Sequence, residues 1–441
     1  MTASTGYWAE HAFLPDGWAR RVRFEVVAGR FGAVITDADP EPADDRLPGV
    51  VLPGLANAHS HAFHRALRGR TQGGRGSFWT WREAMYRLAS RLDPDNYLAL
   101  ARVVYTELAL AGYTAVGEFH YLHHDQGGRP YADPNAMGLA LITAAEEVGI
   151  RITLLDTCYL AGGLEPNGHR PLDPVQQRFS DGDVERWQSR VAELSGTPLA
   201  KIGSAAHSVR AVPAHALGPL AEAFPHAPLH LHLSEQPAEN DASVAHYGRT
   251  PTRLVDEHGL LGTRTTAVHA THLTGDDIDR LGRSGTAVCF CPTTERDLAD
   301  GVGPGRELLD AGSPLCLGSD QHAVIDPFEE LRGLELNERL ITGERGRFGP
   351  EELITAAGPA GHRSLGWDEA GRIAVGAAAD FVVIGTDSVR TAGCDPEQLH
   401  YAATTADVRR VVVGGVTLVV DGEHRDGTPD LAVLDRLWEE R

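Results

Sequence analysis

Residues 50–61, VVLPGLANAHSH, run from an apolar strand-like segment into two histidines, His59 and His61, placed two positions apart. Residues i and i+2 on a strand point to the same face, so these two imidazoles can reach one metal ion. An HxH pair alone is a weak signal. It gains weight from the polar residues that end other apolar runs. His232 ends the run at 228–233 with Glu235 three residues on, His269 ends 265–270, and Asp320 follows 314–319.

The full set of strand-like runs is 50–56, 114–121, 151–160, 200–207, 228–233, 265–270, 286–291 and 314–319. Helix-like stretches lie between them, at 95–111, 136–148, 183–194, 276–283 and 327–341. Eight such units over roughly 300 residues predict a (β/α)8 TIM-type barrel, an α/β fold. Periodicity alone leaves an open doubly wound sheet as the alternative. In a barrel the C-terminal strand ends share one face, where active sites sit. His59, His61, His232, His269, Glu235 and Asp320 would then converge, although they span 59 to 320. Three histidines and an aspartate, with no thiolate, suit a divalent metal of the zinc type with a position left for an attacking water. His230, one step deeper on the same strand, reads as structural.

The ends of the chain read differently. Residues 18–38 and 371–423 are rich in Val, Ile, Gly and Thr with turn signals between short runs, which predicts short strands of a small β domain; that both ends join to form it rests partly on a family resemblance carried by GRIAVGAAADFVVI at 371–384. The division expected is 1–52 and 366–441 for the small domain, and 53–365 for the barrel.

Composition narrows the function classes. The chain has 441 residues and a formal net charge of -21, which argues against nucleic-acid partners and anionic membrane surfaces. The first residues lack a secretory pattern, and no apolar run is long enough to span a bilayer. Five scattered cysteines point to a reducing cytoplasm without a disulfide framework. Cys289 and Cys291 read as buried thiols rather than ligands. His123-His124-Asp125 reads as a loop hydrogen-bond cluster rather than a second metal site. The glycine-rich TQGGRGS at 71–77 lacks a phosphate-loop pattern and reads as a loop near the site mouth.

HSH at 59–61, HLHLSE at 230–235, His269, GSD at 318–320 and GRIAVGAAADFVVI at 371–384 together resemble the amidohydrolase superfamily over nearly the whole chain. Some members hold two metals bridged by a modified lysine on the fourth strand. Here that strand ends in His207, with Lys201 near its beginning, which resembles the single-metal branch. NAHSHAFHRALRG (57–69), FWTWREAMYRL (78–88), AAHSVRAV (205–212), HLSEQPAEN (232–240) and GSDQHAVIDPFEELR (318–332) are similar to the formimidoylglutamate deiminase family.

That resemblance implies hydrolysis of N-formimino-L-glutamate to N-formyl-L-glutamate and ammonia in histidine degradation. It implies one divalent ion per chain, zinc first, on His59, His61, His232 and Asp320. Asp320 is also expected to accept a proton from the attacking water. Glu235 is the expected proton shuttle, with a supporting role for a ligand histidine as its alternative. His269 is expected to stabilise the attacking group or to serve as a further ligand. Arg82, Tyr121, His207 and Arg210 are implied to hold the glutamate part, and a homodimer is implied as well. One departure stands out: the family pattern carries a glutamine where this chain has His64, so any substrate contact there is altered. The runner-up function is deamination of a heterocycle of the guanine or pyrimidine type, and a third reading is a non-catalytic barrel scaffold.

Overall fold

Eight parallel strands form one sheet in chain order: Leu55–Ser60, Tyr113–His120, Arg151–Cys158, Ala200–Ala206, Leu229–Leu233, Thr265–His269, Ala287–Phe290 and Leu315–Leu317. The computed structural model that gives this sheet describes residues 4–73 and 78–439. Residues 74–77, within the predicted glycine-rich loop, lie outside the described residues. The first and last strands meet through a parallel bridge between Ser60 and Asp320. The Asp320 N–H donates to His59 O at 2.9 Å and the His61 N–H to Asp320 O at 3.0 Å. The sheet is therefore a closed barrel, and the open-sheet alternative falls.

Parallel neighbours need crossovers, and helices supply them. Pro94–Leu110 shows why these segments are helical. Asp93 and Asn96 form a capping box, Pro94 occupies the first turn, and Leu100, Val104 and Leu108 recur every four residues on the buried face. All eight residues of Tyr113–His120 and of Arg151–Cys158 are buried, as expected for strands covered on both faces.

The predicted first strand, 50–56, is two strands. Val50–Pro53 belongs to a second, mainly antiparallel sheet, pairing antiparallel with Phe381–Ile384 and parallel with Ser4–Leu14, and the barrel begins only at Leu55. Gly54 makes the switch: a Cβ there would lie 2.3 Å from Thr114 Oγ1. His59 consequently sits within the strand rather than beyond its end.

The second sheet joins both ends of the chain, as expected. Its order is Glu423–His424, Val416–Val420, Val408–Val413, Phe381–Ile384, Val50–Pro53, Ser4–Leu14, Gly17–Val27 and Arg30–Ile35, with Asp45–Arg46 beside Ser4–Leu14. Tyr7, Phe24, Phe31 and Phe381 pack its core, with Phe24 and Phe381 ring centroids 5.2 Å apart. Arg151 clamps this sheet to the barrel, donating to both Asp380 oxygens at 2.6 and 3.0 Å. The last segment does not stay with the sheet. Val433 and Leu437 join the barrel's apolar core, and Trp438 Nε1 donates to Ala66 O at 2.9 Å. Their apolar side chains find cover on the barrel that a sheet edge does not offer.

Cys289, Cys291 and Cys316 are buried with Ala58 and Val268 inside the barrel, as small apolar residues would be. Among the described residues no helix is long and apolar enough to cross a membrane.

Candidate active site

The C-terminal ends of the strands open into a cavity of about 430 Å³. His61, His64, Arg82, Tyr121, His207, Arg210, His232, Glu235, His269 and Asp320 all line it. His59 lies fully buried behind them. Residues chosen from separate stretches of sequence are thus brought to one place.

Four side chains converge on the cavity floor. His59 Nε2 is 3.1 Å from His232 Nε2, and His61 Nε2 is 3.4 Å from the same atom. Asp320 Oδ1 lies 3.6 Å from His59 Nε2 and 3.4 Å from His61 Nε2. The tautomers explain what this arrangement is for. His61 Nδ1–H donates to Phe119 O and His232 Nδ1–H donates to His207 O, both at 2.9 Å. In the neutral rings each Nε2 then carries a lone pair, and these lone pairs face one another. Burial keeps the rings neutral: it pushes His59 down to about 3 and holds His61 and His232 below the ordinary histidine range. Neutral imidazoles with converging lone pairs beside a carboxylate need a cation between them. Burial alone would raise Asp320, but its contact with His59 and the nearby His61 and His269 outweigh this and hold it below the usual carboxylate range. The set fits a divalent metal.

His269 stands at the edge of this group. Its ring stacks on His232 at 5.6 Å, Nε2 lies 3.8 Å from Asp320 Oδ2, and Nδ1–H donates to Glu295 at 3.3 Å. Burial lowers its pKa, but the Glu295 hydrogen bond and the charges of Glu235 and Asp320 outweigh burial and raise it to about 10. Ser234, His269 and Asp320 all adopt positive φ (50°, 70° and 45°). Left-handed backbone at three non-glycine strand ends is costly and clusters where function fixes geometry.

The cavity wall departs from the simplest reading. Arg210 Nη2 donates to Glu235 Oε2 at 2.6 Å and Arg210 Nε lies 3.6 Å from Glu239. The implied carboxylate clamp and the implied proton shuttle are therefore partners. His64 Nε2 lies 2.9 Å from the Tyr121 hydroxyl, so these two act as a pair. Arg82 Nε donates to Tyr86 Oη at 2.6 Å. His207 both lines the cavity and lends its carbonyl to His232.

Sequence reasoning missed Glu239, Glu295, Arg170 and the aromatic wall of Trp81, Tyr86, Tyr159 and Phe179. Glu239 stood within the quoted 232–240 motif, but nothing marked which charge it answers, and Glu295 carried no signal of its own. Arg170 comes from a hairpin, Gly163–Glu165 with Gly168–Arg170, whose His169 bridges Arg210 O and Tyr247 Oη.

Other expectations concern residues off the site. Lys201 Nζ lies by Gly366 O, over the Trp367 ring and 3.2 Å from Glu369. That is the far end of its strand, so it is not placed to bridge two metals. His230 Nε2–H donates to Ser364 O at 2.9 Å, a structural contact. His120, His123 and Asp156 could geometrically hold an ion, but Arg190 already donates to both Asp156 oxygens at 2.8 and 2.9 Å. His124 pairs with Asp181 at 3.0 Å.

The family model described as "Amidohydrolase family" matches residues 50–418, and the one described as "Formimidoylglutamate deiminase HutF, N-terminal domain" matches residues 5–47. The formimidoylglutamate deiminase of Pseudomonas aeruginosa is 38% identical over 436 residues, 95% of each chain. The chain belongs to the amidohydrolase family, in its formimidoylglutamate deiminase branch. More distant amidohydrolase relatives include the 8-oxoguanine deaminase of the same organism, 32% identical over 382 residues, covering 85% of this chain and 83% of that one. Among solved structures, an amidohydrolase from Brucella melitensis superposes with a TM-score of 0.92 at 33% identity, over 99% of this chain and all of the other.

Proposed function

We propose that this amidohydrolase converts N-formimino-L-glutamate and water to N-formyl-L-glutamate and ammonia, a step of histidine degradation in the cytoplasm. One zinc ion per chain is assigned to His59, His61, His232 and Asp320. The observation that carries the reading is a buried set of inward-facing imidazole lone pairs and one carboxylate on the floor of a cavity whose wall holds Arg82, Arg170 and Arg210.

When bound, the metal supplies Lewis acidity for activating water. The chain's own residues do the rest. Asp320 is assigned to take a proton from the attacking water, which adds to the formimino carbon. His269, oriented by the Nδ1–H bond to Glu295, is assigned to steady charge developing on the attacked group. Glu235 is assigned to carry one proton of that water to the terminal nitrogen and Asp320 to return the other to it, so that it leaves as ammonia rather than as an amide anion. The carbon keeps its bond to the glutamate nitrogen and gains the water oxygen.

The substrate carries two carboxylates, and a protein of net charge -21 repels it at long range. Cations at the wall answer this locally, and Arg suits paired carboxylate contacts. Arg82, Tyr121, His207, Arg210 and His64 are assigned to the glutamate part. The aromatic wall also favours a second reading, a flat heterocycle stacked on Trp81 or Tyr86.

Ammonia release by the purified protein separates the two. Formiminoglutamate is expected to be turned over with a kcat/KM well above that for 8-oxoguanine or a pyrimidine. The opposite order overturns the proposal in favour of the second reading.

A further inference from the structure

Close to the candidate ligands in sequence, Asn57, Ser60, Ser319 and His322 do not line the cavity, and with Glu118 they form a continuous buried chain. Asn57 Nδ2–H donates to Ser319 Oγ at 2.6 Å, and Asn57 Oδ1 accepts from Ser319 N–H at 2.9 Å. Ser319 Oγ lies 2.9 Å from His322 Nδ1, and His322 Nε2 lies 2.9 Å from Ser60 Oγ. Ser60 Oγ–H donates to Glu118 Oε2 at 2.7 Å, while Ala62 N–H donates to Glu118 Oε1 at 2.7 Å. All of these side chains are essentially without solvent contact.

Burial raises the Glu118 pKa to about 7, and with its carboxyl ionised the donors run in one direction along the chain. Ser60 gives its hydroxyl proton to Glu118, so it accepts from His322 Nε2–H. His322 is then the Nε2–H tautomer, and its Nδ1 accepts from the Ser319 hydroxyl. Ser319 in turn accepts from the Asn57 amide. Every bond runs toward the Glu118 carboxylate, with no donor facing a donor.

The chain also spans the weakest part of the barrel. The first and last strands are joined by a single bridge, at Ser60 and Asp320. Gly318 permits that approach, since a Cβ there would stand 2.8 Å from His59 Cβ and O. Ser60 lies between His59 and His61, and Ser319 and His322 flank Asp320. Glu118, from the second strand, ties down the near side of this seam. We propose that Glu118, through Ser60, His322, Ser319 and Asn57, is a positioning residue that holds the His59–His61 segment in register with Asp320 across the barrel seam, and so sets how tightly the metal is kept.

This rests on the metal site assigned above, and its test tells the two apart. Zinc-loaded wild type, Glu118→Gln and Thr153→Val are challenged with a chromogenic chelator, and zinc loss is followed with time. In Glu118→Gln only one of the two terminal atoms can accept, so keeping both the Ala62 and the Ser60 contacts requires the hydrogen bonds along the chain to reverse direction. Thr153→Val removes a comparable buried contact far from the seam, where Thr153 Oγ donates to Leu365 O at 2.8 Å and accepts from Trp367 Nε1 at 3.0 Å. Glu118→Gln is expected to lose zinc on the order of 10-fold faster than wild type, with Thr153→Val unchanged. In the metal-free proteins, amide exchange at 57–61 and 318–322 is expected to rise only in Glu118→Gln. Should Glu118→Gln not yield folded protein, Ser60→Ala breaks the same chain at its middle. Equal zinc loss in all three proteins, or equally fast loss in both variants, overturns the inference. A wild type that binds no zinc overturns the metal assignment instead.

Discussion

Arg210 Nη2 donates to Glu235 Oε2 at 2.6 Å, and both groups are shielded from solvent. An arginine cannot clamp a substrate carboxylate at full strength while it neutralises Glu235, so the roles proposed for the two are coupled. Glu235→Gln is expected to keep the metal and lower kcat by roughly 100-fold, the range for a general acid–base group. Arg210→Ala is expected to lower kcat/KM by on the order of 2–4 kcal/mol, partly through Glu235. The double variant is then less impaired than the two single losses multiplied together. A fully multiplicative double variant would show that the pair works independently.

The metal assignment has a separate check. Purified protein is expected to carry close to one divalent ion per chain, and His232→Ala or Asp320→Ala to lose both ion and activity. Lys201 is held at the opposite end of its strand by Gly366, Trp367 and Glu369. Lys201→Ala is therefore expected to keep metal content and turnover. Two tightly held ions with Lys201 modified would refute the single-metal site.

The barrel, and the meeting of His59, His61, His232 and Asp320 on one face, were legible in the sequence because both rest on local rules. A strand alternates faces, parallel strand ends share a rim, and polar residues at those ends have nowhere else to go. The sequence did not carry the split at Gly54, because an apolar run such as VVLPGLA looks alike whichever sheet it enters. Nor did it carry the pairing of Arg210 with Glu235, the answer of Glu295 to His269, or the arrival of Arg170. Each of those is a contact between segments whose meeting depends on loop paths that no periodicity encodes. The return of Trp438 to Ala66 is of the same kind, a tail placed by tertiary burial rather than by its own pattern.

His230 supplies a pH prediction away from the metal. Burial pushes its pKa down from 6.5 to about 4, only partly offset by the bond to Ser364 O. Below pH 6.5 the unfolded chain binds a proton that the native ring refuses, so stability falls as pH drops from about 6.5 toward about 4. The loss from this group is on the order of 3 kcal/mol across that window. Thermal unfolding of the metal-free protein is expected to show a falling Tm there, with a shallower slope in His230→Gln. An unchanged slope in the variant would mean that other buried histidines carry the effect.

Substrate choice turns on the cavity's arginines. Arg210 is engaged by Glu235 and Glu239, and Arg82 donates to Tyr86. Arg170 reaches the cavity mouth from the hairpin that His169 fastens to Arg210 O and Tyr247 Oη, and its own acidic neighbour Glu165 stands 3.5 Å away. A dianion entering from solvent meets Arg170 before it meets the others, because Arg170 is the more exposed of the three. Arg170→Ala is expected to raise KM for formiminoglutamate several-fold with kcat nearly kept, the signature of binding shared by ground and transition states. Arg82→Ala, deeper in the wall, is expected to lower kcat as well, as the proposed role in orienting the substrate for attack requires. A formimino substrate with one carboxylate removed discriminates further. If Arg170 engages that carboxylate, its replacement should hardly affect the monoanion, and raising the salt concentration should shrink the wild-type advantage for the dianion. Equal losses on both substrates would assign Arg170 to the hairpin's structure instead of to the substrate.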